Sequence, residues 1–295
     1  MLNDPELSRE YKIRAITRDV NSKKAKELKE KVEVVTGDAF NRASIEEALA
    51  GSHTVFVMTA YCFKVNGVEI EYNNAKTIAD VAVEKGAEYI IFSTLPSLRE
   101  ISGGKYTKAI PFEAKAKAEQ YIRSLPIKSA FFSAGSFMEN FQFPAFLGAR
   151  KSPDGTWKFS RNNSPTTKLA LLDAVGDTGK FVGAILAEPE KYEGKTFYGA
   201  TKAYSLEEIA SILSKATSET IVYKQIPLAE FKEALSLSIK DDLMVSNSIE
   251  VFNFMEEFGC FGRHDSEVIS WAVKNARGRV STFEEFLVAH PYRLE

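Results

Sequence analysis

The chain has 295 residues, enough for one large domain or two modest ones, with 44% hydrophobic and 26% charged residues. Its formal net charge of −2 speaks against direct nucleic-acid binding, which needs a basic face. Only two cysteines are present, so we expect no disulfide framework and a reducing compartment. No apolar run approaches about 18 residues and the N-terminus lacks a signal-peptide core, so we expect no membrane span and a location in the cytoplasm or the nucleus.

Short apolar strands alternate with helices from residue 12 onward. The predicted strands cover residues 13–17, 32–36, 54–59, 89–93 and 127–133. The predicted helices cover residues 22–30, 44–50, 68–85 and 111–124, the second opened by a capping box of Ser44 and Glu47. Strands this apolar, each followed by a crossover helix, predict an α/β fold of the Rossmann type: a parallel sheet with helices on both faces.

The pattern changes after about residue 145. Residues 151–165 are rich in Ser, Pro, Asn and Gly and predict a loop, and helices dominate from residue 226 to about 288. Before them we predict a helix at 177–187, a strand at 195–200, a helix at 205–215 with a Ser205/Glu208 capping box, and a strand at 221–225. We therefore expect a dinucleotide-binding domain over residues 1–147 and a smaller α+β substrate- or partner-binding region over 148–295, packed on it.

A Thr-Arg-Asp turn follows the first predicted strand. This first predicted strand looks like the second strand of a Rossmann domain. An acidic residue at the end of that strand accepts the ribose hydroxyls of NAD, whereas an arginine such as Arg18 would pair with the 2′-phosphate of NADP. Asp19 follows directly and mixes the signal. A surface arginine after an edge strand is the alternative interpretation.

Two later strand ends carry further candidates, because ligands of open α/β sheets bind at the carboxyl ends of the strands. Asp38 follows one strand, and Thr59 and Tyr61 close the next. The alternatives are an ordinary turn at Asp38 and a packed loop aromatic at Tyr61.

Lys115 lies near the start of a predicted helix, where short-chain dehydrogenases carry Tyr-x-x-x-Lys. That lysine holds the nicotinamide ribose and lowers the pKa of the tyrosine, which acts as general acid or base. Pro111 stands at the tyrosine position and cannot exchange a proton. Lys115 is a candidate for catalysis and for ribose binding, and a solvated lysine is the alternative interpretation. A Tyr72/Lys76 pair has the same spacing but precedes the strand at 89–93, and we interpret it as coincidence.

The three histidines, His53, His264 and His290, are widely spaced and form no metal-ligand pattern, so we expect no metal site. The segment Phe137-Met138-Glu139-Asn140 follows another predicted strand end and is a candidate for the nicotinamide region. For Met138 a core position is the favoured alternative.

Several segments together resemble the NmrA-like family, an atypical branch of the short-chain dehydrogenases. They are RAITRD from residue 14, VVTGD from 34, VFVMT from 55, FEAK from 112, FMEN from 137, SPDG from 152 and TFEEFL from 282. The resemblance runs from about residue 7 to the C-terminus and implies a dinucleotide-binding protein that prefers NADP(H) to NAD(H). Many members sense the redox state of the cofactor and regulate transcription factors or other partners, and others are reductases.

The resemblance also implies a residue-level site. The adenosine phosphate would bind at Arg18, Asp19, Val20, Asn21 and Ser22, and adenine would be flanked by Asp38 and Ala39. The pyrophosphate and ribose would lie along Thr59, Ala60 and Tyr61. The nicotinamide ribose would contact Lys115, and the nicotinamide would be bordered by Phe137, Met138, Glu139 and Asn140. A lysine from the long helix reaches the cofactor in relatives, but Asn73 stands at that position here.

The chain departs from this family at its front. Members begin with a strand and a Gly-x-x-Gly-x-x-Gly turn, which this sequence does not contain. This sequence begins about twenty residues into the Rossmann pattern. The part of the pattern before that point includes the helix N-terminus that stabilises the pyrophosphate. We expect a truncated gene model or an alternative start rather than an evolved deletion, and weakened dinucleotide binding if the loop is truly absent.

Three functions are open at this stage. The first is a redox-sensing regulator that acts through a protein partner, which the absent tyrosine at position 111 favours. The second is an NADP-dependent reductase of a small apolar substrate that uses Lys115 without a tyrosine. The third is a pseudo-dehydrogenase that binds no dinucleotide and acts only as a protein partner, with a homodimer possible in each case.

Overall fold

The computed structural model describes residues 2–142 and 148–294. They form two compact units that interleave along the chain. The first unit comprises residues up to 94, 114–132 and 182–196, and the second comprises 95–113, 133–181 and 197 onward. This partition differs from the single boundary after residue 147 suggested by the sequence, because residues 182–196 return to the first unit.

The secondary structure is mixed throughout. The helices are α1 Leu7–Glu10, α2 Lys23–Lys29, α3 Arg42–Ala48, α4 Gly67–Glu84, α5 Leu98–Ile101, α6 Ile110–Arg123, α7 Ala174–Ala187, α8 Pro189–Tyr192, α9 Leu206–Thr217, α10 Leu228–Ser238, α11 Asp242–Phe258, α12 Asp265–Asn275 and α13 Phe283–Ala289. The strands are β1 Arg14–Thr17, β2 Glu33–Thr36, β3 Thr54–Val57, β4 Tyr89–Thr94, β5 Lys128–Ala134, β6 Ser136–Phe137, β7 Arg150–Lys151, β8 Trp157–Arg161, β9 Lys168–Leu172, β10 Thr196–Gly199, β11 Lys202–Ser205 and β12 Ile221–Gln225.

The first unit confirms the predicted α/β class. Strands β1 and β2 form a two-stranded parallel sheet in which Thr17 faces Thr36. Strands β3, β4 and β5 are neighbours in that order in a second sheet, with β3 and β4 parallel and Val57 facing Phe92. Equivalent strand ends therefore lie at the same edge of each sheet, which is the geometry that a ligand site in this fold class requires.

Helices cover the second sheet because their small residues form continuous buried stripes. On α4 the stripe runs through Ala75, Ala79 and Ala82, which pack with β3 and β4 side chains. On α6 it runs through Ala118 and Ile122. Spacings of three and four residues place these side chains on one helical face, so the sheet and both helices share a single core.

Helix boundaries follow from local chemistry, with one correction. Ser22 is the N-cap of α2, and α4 ends before Gly86, whose φ of +79° suits glycine. The predicted Ser44/Glu47 capping box is wrong. Asn41 is the N-cap of α3 and accepts the Ser44 backbone N–H, so the helix begins earlier and the Ser44 hydroxyl bonds elsewhere.

The second unit contains two three-stranded sheets, with orders β11-β9-β6 and β12-β8-β7. The residues predicted as a loop at 151–165 include β8 and part of β7, which form an antiparallel pair. Trp157 and Phe159 explain the difference: Phe159 is fully buried in an aromatic core that also contains Phe141 and Phe283. Tertiary packing therefore outweighs the turn-rich composition.

The predicted helical C-terminal part is confirmed by α10 to α13. Two capping boxes mark helix starts in this unit: Ser205 with Glu208 opens α9, as predicted, and Thr282 with Glu285 opens α13. Within the described ranges, no helix combines the length and apolar character needed to cross a membrane.

Substitution Ser205→Ala removes the hydroxyl that accepts the Glu208 N–H at 3.0 Å. We expect it to lower the free energy of unfolding by about 1 kcal/mol, because one amide at the start of α9 loses its partner. Equilibrium urea unfolding measures the change. Ser211→Ala, at an exposed interior position of the same helix, is the matched control and should be neutral or slightly stabilising. Equal losses for both variants would contradict the capping role.

Candidate functional site

The first group of candidate residues lies at the carboxyl edge of β1 and β2. The Gly37 N–H donates to the Thr17 carbonyl at 3.0 Å, which continues the pairing of the strands to their ends. A Cβ on Gly37 would lie 2.5 Å from Ile16 Cγ2, so glycine permits this close approach. Arg18 and Asp38 therefore leave neighbouring strands at one edge, as predicted.

The turn after β1 holds its own polar groups and leaves Arg18 available. Asp19 Oδ1 accepts the Asn21 N–H at 2.8 Å, and the Asp19 carbonyl accepts the Ser22 hydroxyl at 3.0 Å. Ser22 in turn accepts the Ala25 N–H at 3.3 Å as the cap of α2. The Arg18 side chain is exposed, with no ion pair among the residues that the structure describes. The Asp19 carboxylate therefore hydrogen-bonds within the turn and does not pair with Arg18.

A second turn at the same edge surrounds Asp38. Its Oδ1 accepts the Phe40 N–H at 3.0 Å, and its backbone N–H donates to the Ser44 hydroxyl at 2.9 Å. Ala39 is half-buried, while the Phe40 side chain is 70% exposed. Sequence reasoning did not single out Phe40, although an aromatic residue directly after the Gly-Asp turn was the signal available for it.

The second group centres on a buried ion pair. Lys115 and Glu71 are 3% and 1% exposed, and Lys115 Nζ lies 2.8 Å from Glu71 Oε1. Thr59 joins them: its hydroxyl donates to Glu71 Oε1 at 2.7 Å and accepts from Lys115 Nζ at 2.9 Å. The Thr59 carbonyl accepts from the same Nζ at 3.1 Å. We call Thr59, Glu71 and Lys115 the buried triad.

Three acceptors thus surround the three N–H donors of the Lys115 ammonium. In this arrangement no donor is left for a ribose hydroxyl, so a ribose contact would have to displace one acceptor. Burial lowers the pKa of Lys115, and the charge of Glu71 opposes that shift. Glu71 Oε2 is also buried and has no hydrogen-bond partner among the described residues. The ribose-binding and catalytic roles of Lys115 stay predictions.

Ala60 and Tyr61 continue the chain outward from the buried triad, and both are exposed. The Tyr61 ring lies beside Lys115, with Nζ 5.5 Å from the ring centroid. Although the side chain is about half exposed, desolvation of the phenol and then the charge of Glu71 raise the pKa of Tyr61. This phenol is therefore not activated as a general base at neutral pH.

Glu71 is a second residue of the candidate site that the sequence analysis did not single out. Its position follows the α4 stripe, four residues before Ala75, so a carboxylate sits at an apolar position of the helix pattern. Lys115 likewise falls on the buried α6 stripe, three residues before Ala118. Opposite charges on two buried stripes of neighbouring crossover helices are the signal that could have predicted the pair.

The segment predicted to border nicotinamide lies in the second unit. Met138 is fully buried in the aromatic core, as its alternative interpretation held, and Phe137 is 37% exposed. Both carboxylate oxygens of Glu139 accept backbone N–H groups at the start of α7, from Ala174 at 3.2 Å and Val175 at 2.9 Å. Glu139 thus stabilises a helix N-terminus, and Asn140 is half-buried.

Comparison with known proteins identifies the family. The sequence pattern of the NmrA-like family matches residues 4–287 of this chain. This chain belongs to the NmrA-like family. An NmrA-like family domain-containing protein of Dictyostelium discoideum is 28% identical over 294 residues, covering 97% of this chain and 91% of that protein. The NmrA-like oxidoreductase FrzB of Cladobotryum sp is 28% identical, covering 73% of this chain and 69% of its own length.

Solved structures agree on the fold. NmrA, a negative transcriptional regulator in complex with NADP, superposes with a TM-score of 0.74 at 22% identity, covering 95% of this chain and 87% of that one. The same regulator in complex with NAD gives a TM-score of 0.72 at 22% identity, covering 94% and 86%. At this identity the likeness establishes the Rossmann-like architecture of this NmrA-like protein.

The buried triad predicts a strong energetic coupling. We expect Glu71→Gln and Lys115→Met each to lower the free energy of unfolding by about 3–5 kcal/mol, because each leaves a buried charge without its partner. The double variant should lose clearly less than the sum, since it removes both charges. Urea unfolding of the four proteins gives the coupling energy.

The same two helices provide a matched control. Lys117 and Glu69 form an exposed ion pair, each two residues from its buried counterpart. Glu69→Gln and Lys117→Met should each change stability by no more than about 1 kcal/mol, because water solvates whichever charge remains. Strictly additive losses at Glu71 and Lys115 would contradict a coupled buried pair.

Proposed function

We propose that this NmrA-like protein binds NADP(H) with its adenosine end at the carboxyl edge of β1 and β2, and regulates a partner protein according to the cofactor bound. The observation that carries the proposal is Arg18. Its exposed guanidinium lies at a strand end and provides a donor for a 2′-phosphate. The neighbouring carboxylate, Asp19, accepts a backbone N–H within the turn. The fold has its ligand sites at this edge, and the related NmrA was solved with both dinucleotides.

The residues fit the adenosine end of the cofactor better than a catalytic nicotinamide end. Arg18 offers charge-assisted hydrogen bonds to a phosphate, and the exposed Phe40 ring offers a surface on which adenine could stack. At the other end, all donors of Lys115 are engaged in the buried triad. Bound NADP(H) would supply hydride chemistry, but binding alone suffices for a regulator.

The position of the usual catalytic tyrosine supports the regulatory reading. Pro111 occupies the first turn of α6, where a missing N–H costs no hydrogen bond. It therefore starts the helix and offers no proton. The NmrA structure belongs to a negative transcriptional regulator, and we infer that this chain likewise works through a protein partner in the cytoplasm or nucleus.

A reductase is the second candidate, and Tyr61 is the observation that favours it. Its exposed phenol lies beside the Lys115 ammonium, and FrzB is named an oxidoreductase. A screen of aldehydes and enones with NADPH tests it: sustained turnover that Tyr61→Phe abolishes would establish the enzyme and displace the pure regulator. Absence of turnover with intact NADPH binding would favour regulation.

Arg18→Ala tests cofactor choice. We expect NADPH affinity to fall about ten-fold or more, because a charged hydrogen-bond donor to the 2′-phosphate contributes about 1.5–3 kcal/mol. NADH affinity should stay unchanged, since NADH has no phosphate at that position. Isothermal titration calorimetry with both cofactors gives the two ratios.

Lys29→Ala provides the matched control, because Lys29 is an exposed cation at the far end of α2. It removes the same net charge and should leave both affinities within about two-fold. Equal NADPH and NADH affinities in the unaltered protein, or equal losses at Arg18 and Lys29, would contradict phosphate recognition by Arg18.

A further inference from the structure

A cluster of cations surrounds a cavity in the second unit, and none of the residues predicted to bind the dinucleotide lines it. The β7–β8 register places Arg150 directly opposite Lys158, and the β8–β12 register places Lys224 opposite Ser160. Arg150, Lys158 and Lys224 all line the same cavity. Like charges opposite each other destabilise a sheet, so the arrangement carries an electrostatic cost.

The cavity has a volume of about 210 Å³. Its five cationic lining residues are Arg150, Lys151, Lys158, Arg161 and Lys224, and we call this cavity the basic pocket. Glu230 is the acidic residue among the described lining residues. Asp154, outside the lining, pairs with Lys158 at 2.9 Å. The local charge is therefore clearly positive in a chain whose net charge is −2.

Arg161 sets this pocket apart from a patch of surface lysines. Its side chain is only 4% exposed, lies against the rings of Phe159 and Phe231, and donates through one guanidinium nitrogen to the Ser160 carbonyl at 2.6 Å. Burial lowers the pKa of Arg161 to about 10, and the charge of Arg150 acts in the same direction. The guanidinium remains charged at neutral pH, and the packed rings fix its position.

We propose that the basic pocket binds a phosphoryl dianion, carried either by a small phosphorylated molecule or by a phosphorylated side chain of a partner protein. The fixed positive charge of Arg161 and the arginine and lysine side chains that line the pocket suit a tetrahedral oxyanion. The apolar side of the pocket, formed by Ile226, Phe231 and Leu235, would contact the carbon skeleton next to the phosphoryl group. A pocket for a drug-sized ligand measures about 300–1,000 Å³, so this one suits a single phosphorylated group rather than a dinucleotide.

The experiment titrates the full chain, without dinucleotide, with inorganic phosphate and with a phosphoserine tripeptide amide. We expect Arg150→Gln and Lys224→Gln each to weaken binding about five-fold, because each removes one charge at the rim. The double variant should weaken it further. Both side chains are exposed, so both variants should fold, which circular dichroism and thermal unfolding without phosphate verify.

Lys232→Gln is the matched control, because Lys232 is exposed on α10 but does not line the pocket. It should leave phosphate affinity unchanged. Tighter binding of the phosphoserine peptide than of inorganic phosphate would indicate a phosphorylated partner, provided that the unphosphorylated peptide does not bind. Equal affinity for the two would indicate a small phosphorylated molecule.

Two results would overturn the proposal: no detectable phosphate or phosphopeptide binding, or binding that the Arg150/Lys224 double variant leaves unchanged. Arg18→Ala should not alter phosphate binding at the basic pocket, because Arg18 does not line it. The outcome is therefore independent of the proposed dinucleotide site.

Discussion

The buried ion pair between Lys115 and Glu71 is the interaction on which the candidate site depends. Two charges removed from water cost several kcal/mol each, and only mutual attraction with well-placed hydrogen bonds offsets that cost. Thr59 supplies those hydrogen bonds through its hydroxyl and its carbonyl. As a result α4, α6 and the segment after β3 are held together at the edge where a cofactor would bind.

This satisfaction also limits the chemistry of the site. A lysine that catalyses proton or hydride transfer has to reach the substrate or cofactor, whereas the Lys115 ammonium faces three protein acceptors. Pro111 gives α6 a stable start and removes the proton donor that the dehydrogenase pattern requires. The arrangement stabilises the edge at which we propose that the cofactor binds, Lys115 is engaged by protein acceptors, and Pro111 stands where the dehydrogenase pattern has its tyrosine.

The positive charges of the chain are concentrated locally. A net charge of −2 excludes a generally basic protein, but it averages over very different local surfaces. Arg18 presents a single cation at a strand edge, and the basic pocket gathers five around one cavity. Each feature suits a phosphate, and the two proposed anion sites differ in construction: the first lies on a turn and the second on a packed sheet.

The sequence by itself determined the family, the α/β class and the local starts of several elements. Helix caps such as Ser205 with Glu208 depend on residues three positions apart, and the apolar runs of β4 and β5 predict burial on both faces without outside information. The place of Arg18 directly after a strand also followed from the sequence.

Only the tertiary structure decided the rest, because those features join residues distant in the chain. Glu71 contacts Lys115, which lies 44 residues later in the chain. Glu139 stabilises a helix that begins 35 residues after it. Aromatic packing around Phe159 stabilises a strand within a stretch whose composition predicts a loop. The basic pocket arises from the same cause: strand register brings together cations that the linear order separates by up to 74 residues. Spacing along a chain predicts local hydrogen bonds, whereas packing decides which distant charges become neighbours.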